Sequence, residues 1–115
     1  MKTDWTPLAA AQALYAERRR RERVFDKGLF GEPNWDILLD LFIAGEQGRE
    51  ILLTSACIAA CAPPTTARRH IVALERAGLI QRQTSASDRR ATIVRLTVDA
   101  RELILVHLRT IDYLR

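Results

Sequence analysis

The sequence predicts a mainly α-helical domain that carries one small β-hairpin. Three observations lead there. Apolar residues recur at helical spacing near both ends of the chain and again in between. Pro63 and Pro64 form a tight turn between two short helical stretches. Two alternating stretches, residues 79–83 and 91–96, flank a short polar link, as the strands of a hairpin do.

The first helix is expected over residues 8–25, a run of strong helix formers with Pro7 suited to its first turn. Leu8, Ala11 and Tyr15 mark one face. The four arginines at 18–21 occupy more than a full turn, so their charges point in every direction, and Glu17 and Glu22 partly offset them. This run reads either as a solvated segment or as one that touches phosphate or a subunit rim. Residues 27–33, with Gly28, Gly31 and Pro33, are a break. A second helix over residues 34–44 carries Trp35, Leu38, Leu39 and Phe42 as a core stripe, widened by Ile37 and Leu41, with Asp36 and Asp40 on its wet side. Residues 45–48 end it.

A short strand is expected near residues 50–53. Thr54 or Ser55 then N-caps a third helix reaching Cys61, because a hydroxyl satisfies a free amide at that position. Pro64 suits the first position of a fourth helix over residues 65–77, with Ala67, Ile71 and Leu74 inward and Gly78 as its stop. Its wet face carries Thr65, Thr66, Arg68, Arg69 and Arg76. The hairpin follows, its link ending in Arg89 and Arg90. Thr97 caps a last helix over residues 98–115, whose apolar positions cover more than one face. Such a helix must bury both sides, one on its own core and one on another subunit.

At 115 residues, 48% of them hydrophobic, the chain makes one domain and is too apolar for wholesale disorder. A domain of this size buries about two-thirds of its unfolded surface, so a partner subunit has core to complete. No apolar run approaches the ~18 residues of a membrane span, and the polar start does not read as a signal peptide. The expected location is the cytoplasm, where two cysteines make no disulfide framework.

The charge is unevenly placed. Of 18 basic residues 16 are arginine, whose guanidinium grips phosphate and guanine edges bidentately. Residues 63–95 hold seven of them against Glu75 and Asp88, a net charge of +5 that exceeds the +4 of the whole chain. A localised basic surface is the footprint of nucleic-acid binding; on charge alone a solvated arginine-rich face accounts for it equally well.

Three helices, a short turn, a fourth helix and a two-stranded hairpin form the element order of a winged helix-turn-helix. A helix about 10–12 Å across fits the ~12 Å major groove of duplex DNA, and its first residues reach base edges. The helix N-terminus and threonine hydroxyls hold phosphate oxygens. A cationic hairpin tip lies against the adjacent minor groove, where arginine is attracted by the narrow groove of A·T tracts.

The run T-x-x-R-x-I-x-x-L-E-x-x-G-L-I from Thr66 to Ile80, the D-R-R at Asp88 to Arg90 and the V-x-L-T at Val94 to Thr97 resemble the recognition helix and wing of the MarR (multiple antibiotic resistance regulator) family. W-D-I-L-L-D-L-F, from Trp35 to Phe42, is similar to that family's second helix, and the likeness covers about residues 33–106. The resemblance implies a homodimeric transcription regulator on a palindromic operator, with one recognition helix per half-site. Under it, residues 1–115 form a single winged-helix domain: an N-terminal dimerisation helix (1–30), a DNA-binding lobe (33–97) and a C-terminal dimerisation helix (98–115) that is short for the family.

Carried over residue by residue, Thr65, Thr66, Arg68 and Arg69 face the major groove and its phosphates, Arg68 as base reader and Arg69 as phosphate anchor. Ser55 is a phosphate contact and Arg89 the minor-groove residue, while Arg90 either joins it or pairs with Asp88 to brace the wing. The resemblance also adds a small-molecule effector of unknown identity and an oxidant-sensing alternative for Cys57 and Cys61, which otherwise read as small packed side chains on one helical face.

His70 and His107 lie far apart and no second cysteine pair exists, so no metal or cofactor is expected. His70 reads as a helix-surface residue or a DNA contact, and Trp5 and Trp35 as packing residues. No nucleophile–histidine–acid arrangement, phosphate-binding glycine loop or paired carboxylates in a cleft suggests an enzyme. The rival class is a winged-helix interaction or dimerisation module without DNA binding.

Overall fold

The computed structural model describes residues 5–25 and 31–114. The expected break at 27–33 falls largely outside them. In chain order the elements are α1 (Pro7–Val24), α2 (Pro33–Glu46), β1 (Ile51–Leu52), α3 (Leu53–Ala59), α4 (Pro64–Arg76), β2 (Ile80–Thr84), β3 (Thr92–Leu96) and α5 (Val98–Leu114).

The helix boundaries follow local chemistry. Thr6 Oγ1 accepts the Ala9 amide at 3.0 Å and Pro7 opens α1, sparing an N–H that would have no partner. At the end of α4, Gly78 takes a left-handed φ of +77°, the Gly78 amide donates to the Glu75 carbonyl, and the Leu79 amide reaches back to Leu74. That pair of bonds closes the helix and turns the chain into β2. Thr97 joins two elements: its Oγ1 accepts the Ala100 amide at 3.2 Å as the cap of α5 and donates to the Gly78 carbonyl at 2.8 Å.

The expected cap of α3 is corrected. Leu52 occupies the N-cap without a side-chain bond, and Thr54 and Ser55 lie inside the first turn. The reason is that β1 pairs with β3, Ile51 opposite Val94 and Leu52 opposite Ile93, and runs straight into the helix. The wing therefore belongs to a three-stranded antiparallel sheet of order β1-β3-β2 rather than to an isolated hairpin. Hairpin pairing runs from Ile80 opposite Leu96 to Thr84 opposite Thr92.

Two cores share α2. Ile37, Leu41 and Ala44 pack with Ala56 of α3 and Ala67, Ile71 and Leu74 of α4. Leu39 and Phe42, on another side of α2, pack with Ala11 of α1 and Ile104, Leu105 and Leu108 of α5. Each fully buried Leu, Ile or Phe contributes about 1.5–3 kcal/mol. Trp35 and Leu38, expected in the core stripe, are only partly buried, because α2 is wrapped from two directions and they lie at the margin.

The larger correction concerns Asp36. Expected on the wet side, its side chain is 1% exposed, and its Oδ1 accepts Arg18 Nε at 2.5 Å and Arg19 Nη2 at 3.0 Å. Arg18, 5% exposed, also reaches Glu32 Oε1 at 2.8 Å. Two residues of the arginine run are thus spent as a buried latch that fixes α1 on α2. Among the described residues, no helix is long and apolar enough to cross a membrane.

Candidate nucleic-acid interface

With Ala67, Ile71 and Leu74 turned inward, the 3.6-residue period places Thr65, Arg69 and Arg76 on the opposite side of α4, with Arg68 on one flank and Thr66 on the other. Thr65, Arg68, Arg69 and Arg76 are exposed and Thr66 is half-buried. Arg69 Nη2 lies 3.5 Å from Thr66 Oγ1, a contact too long to hold the guanidinium. His70, on the Thr66 flank, is anchored: its Nδ1 is 2.8 Å from Asn34 Oδ1 at the start of α2. Ser55 is exposed in the first turn of α3.

The arginines of the basic segment divide into two groups. Arg82 is bound through two nitrogens to Glu75 Oε1, at 2.8 and 3.2 Å, and this hydrogen bonding holds the Glu75 carboxyl below its ordinary range. Arg90 bonds Asp88 Oδ1 through its backbone N–H at 3.0 Å and its Nε at 3.3 Å, so it braces the wing turn while remaining solvent-facing. Arg95 lies 3.9 Å from Glu50. By contrast, Arg68, Arg69, Arg76 and Arg89 make no ion pair with another described residue. Of the sequence-derived candidates, Thr65, Thr66, Arg68 and Arg69 share α4, Arg89 and Arg90 sit at the wing, and Ser55 comes from α3. Arg76 completes the open set; its place on the wet face was visible in the helical period.

The turn between α3 and α4 carries its own arrangement. Cys61 has a left-handed φ of 54° and lies beyond the end of α3, so it does not share a helical face with Cys57. Its Sγ accepts a hydrogen bond from Arg19 Nη1 of α1. Arg19 also sits 4.9 Å over the Tyr15 ring. Burial pushes the Tyr15 hydroxyl up to about 12 against the pull of that guanidinium. A cleft of about 410 Å³ lies between α2, β3 and the start of α5, with Phe42, Ile93, Arg49, Arg95 and Arg101 among its walls.

No family model matches the sequence, and no curated protein does. Solved structures do match. The Staphylococcus aureus MepR–DNA complex superposes with a TM-score of 0.62 at 19% identity, over 90% of this chain and 80% of that one. AF1382 from Archaeoglobus fulgidus gives 0.61 at 19% identity, over 83% and 97%, and the transcriptional regulator SlyA 0.53 at 18%, over 91% and 69%. The chain has the winged-helix fold of the MarR-family regulators. In that fold α3 and α4 are the helix-turn-helix, the β2–β3 hairpin is the wing, and α1 and α5 flank them as the terminal helices.

Proposed function

We propose that this MarR-type winged-helix protein is a homodimeric transcriptional regulator that binds double-stranded DNA sequence-specifically. α4 enters the major groove and Arg89 of the wing the minor groove. The observation that carries this reading is the division of the arginines: Arg68, Arg69, Arg76 and Arg89, on α4 and the wing, make no ion pair with another described residue, while their neighbours pair with carboxylates. A surface with no anionic partner of its own suits phosphate. Arg68 reads a base, Arg69, Thr65 and Thr66 hold the register on phosphates, Ser55 adds a phosphate contact, and Arg90 supports the wing. MepR, solved on DNA, supports DNA as the partner class.

Dimerisation is read from α5, where Leu103 and Val106 are 62% and 58% exposed on a helix that already buries Ile104, Leu105 and Leu108. The terminal segments 1–30 and 98–115 then form the dimer and residues 33–97 the DNA-binding lobe, acting on a palindromic operator in the cytoplasm. The cleft between α2, β3 and α5 is the place for a small-molecule effector.

Fluorescence anisotropy with a duplex selected from random sequence, across a salt series, tests the reading. Each phosphate that an arginine neutralises contributes about 0.9 to the steepness of log affinity against log salt, so binding should weaken steeply as salt rises. Absence of binding at low salt would favour the interaction module instead.

A further inference from the structure

Resting on the DNA-binding reading above, we propose that Arg20 and Arg23 of α1 form a second phosphate-binding patch, gripping the DNA backbone beside the groove that α4 enters. The argument begins at the latch. Arg18 and Arg19 are held on buried Asp36, and Arg21 pairs with Glu17 at 2.8 Å. Arg20 and Arg23 are exposed and make no ion pair with another described residue. Of the five arginines between residues 18 and 23, three are therefore held by carboxylates and two are open.

The two open arginines lie on the stretch of α1 that directly follows its contact with the helix-turn-helix. Arg19 donates to Cys61 in the turn between α3 and α4. Arg23 stands at i+4 from Arg19, one turn further along the same face of α1, and Arg20 at i−3 from Arg23 is its neighbour. Cys61 is three residues from Pro64, the first residue of α4, a span of at most about 11 Å. Phosphate strands border the ~12 Å major groove on both sides. A helix that enters this groove by its N-terminus brings the Cys61 turn, and with it the end of α1, toward one of those strands. The latch fixes α1 at that point, so the two arginines project from an ordered stretch of helix.

Phosphates carry no base information, which sets the test. The double variant R20Q/R23Q is compared with wild type on the selected duplex across the salt series, with circular dichroism and sedimentation run alongside. The expected result is a salt slope shallower by about 1.8 per protomer, unchanged sequence preference, unchanged fold and oligomeric state, and recovery of the slope in R20K/R23K. A wild-type slope in R20Q/R23Q overturns the patch while leaving the DNA-binding reading in place. Altered base preference, or a changed oligomeric state with the slope intact, also overturns it. Failure of the wild-type protein to bind DNA removes the reading and the patch together.

Discussion

Replacing Asp36 by Ala tests the latch directly. The carboxylate is 1% exposed and serves two guanidiniums, one of them 5% exposed, so its removal leaves positive charge in a site built to neutralise it. Glu32 still holds Arg18 at 2.8 Å, and Glu22 stands 3.7 Å from Arg19, so part of the loss is recovered. Breaking a buried pair from one side costs about 3–5 kcal/mol. A domain of this size holds roughly 6–17 kcal/mol in total, at about 0.05–0.15 per residue. With part of the loss recovered, the substitution should remove a sizeable fraction of the stability and lower the melting temperature by at most about 12–20 °C, at about 4 °C per kcal/mol. The measurement is urea unfolding followed by circular dichroism at fixed protomer concentration, because dimerisation would otherwise move the midpoint. The triple variant Arg18→Met, Arg19→Met, Asp36→Leu supplies the opposite arm. With every charge of the latch replaced by apolar volume, stability should be unchanged or higher by about 1–4 kcal/mol. A loss below about 1 kcal/mol for Asp36→Ala would show that the carboxylate is hydrated, and would refute the latch.

Three further outcomes are expected. Arg68→Ala should relax discrimination by about 1–3 kcal/mol at a single base position, while Arg69→Ala weakens binding to all sequences alike; binding-site selection with each variant shows the difference. Burial raises the Asp40 carboxyl, and the charge of Arg49 only partly opposes this. Because the folded value lies above the unfolded one, Asp40 contributes stability in acid that is lost as pH rises through the folded value. Asp40→Asn should therefore raise the urea midpoint at neutral pH and lose that advantage in acid; a pH-independent gain would contradict the assignment. Gly78→Ala should cost about 1–2 kcal/mol through its φ of +77° alone, since a Cβ there meets nothing within 4 Å.

The DNA-facing half of the molecule was legible in the sequence because its signals are local. Ala67, Ile71 and Leu74 state the phase of α4, Gly78 its end, and the alternation on either side of Asp88 the hairpin. What was not legible depends on residues far apart in the chain. Asp36 looks like a solvent-facing acid beside the apolar stripe of α2, and only the arrival of Arg18 and Arg19 from α1 makes burial tolerable. Thr54 and Ser55 have the chemistry of a cap, yet the pairing of Ile51 with Val94 forces the helix to begin two residues early. Cys57 and Cys61 are spaced for one helical face, and the left-handed backbone at Cys61 ends that face before it is shared.

The sharing of α2 between two cores has a consequence for how the molecule comes apart. A helix that turns Ile37 and Leu41 to one neighbour and Leu39 and Phe42 to another has no side left to expose without loss. Trimming the chain to the lobe that faces DNA would strand Leu39 and Phe42 in water, so that fragment should aggregate rather than fold. Amide exchange in α2 should accordingly proceed only through global unfolding, while the wing tip opens freely. The same party wall makes the terminal helices and α4 mechanically interdependent: a displacement of α5 presses on α2 before it is felt anywhere else.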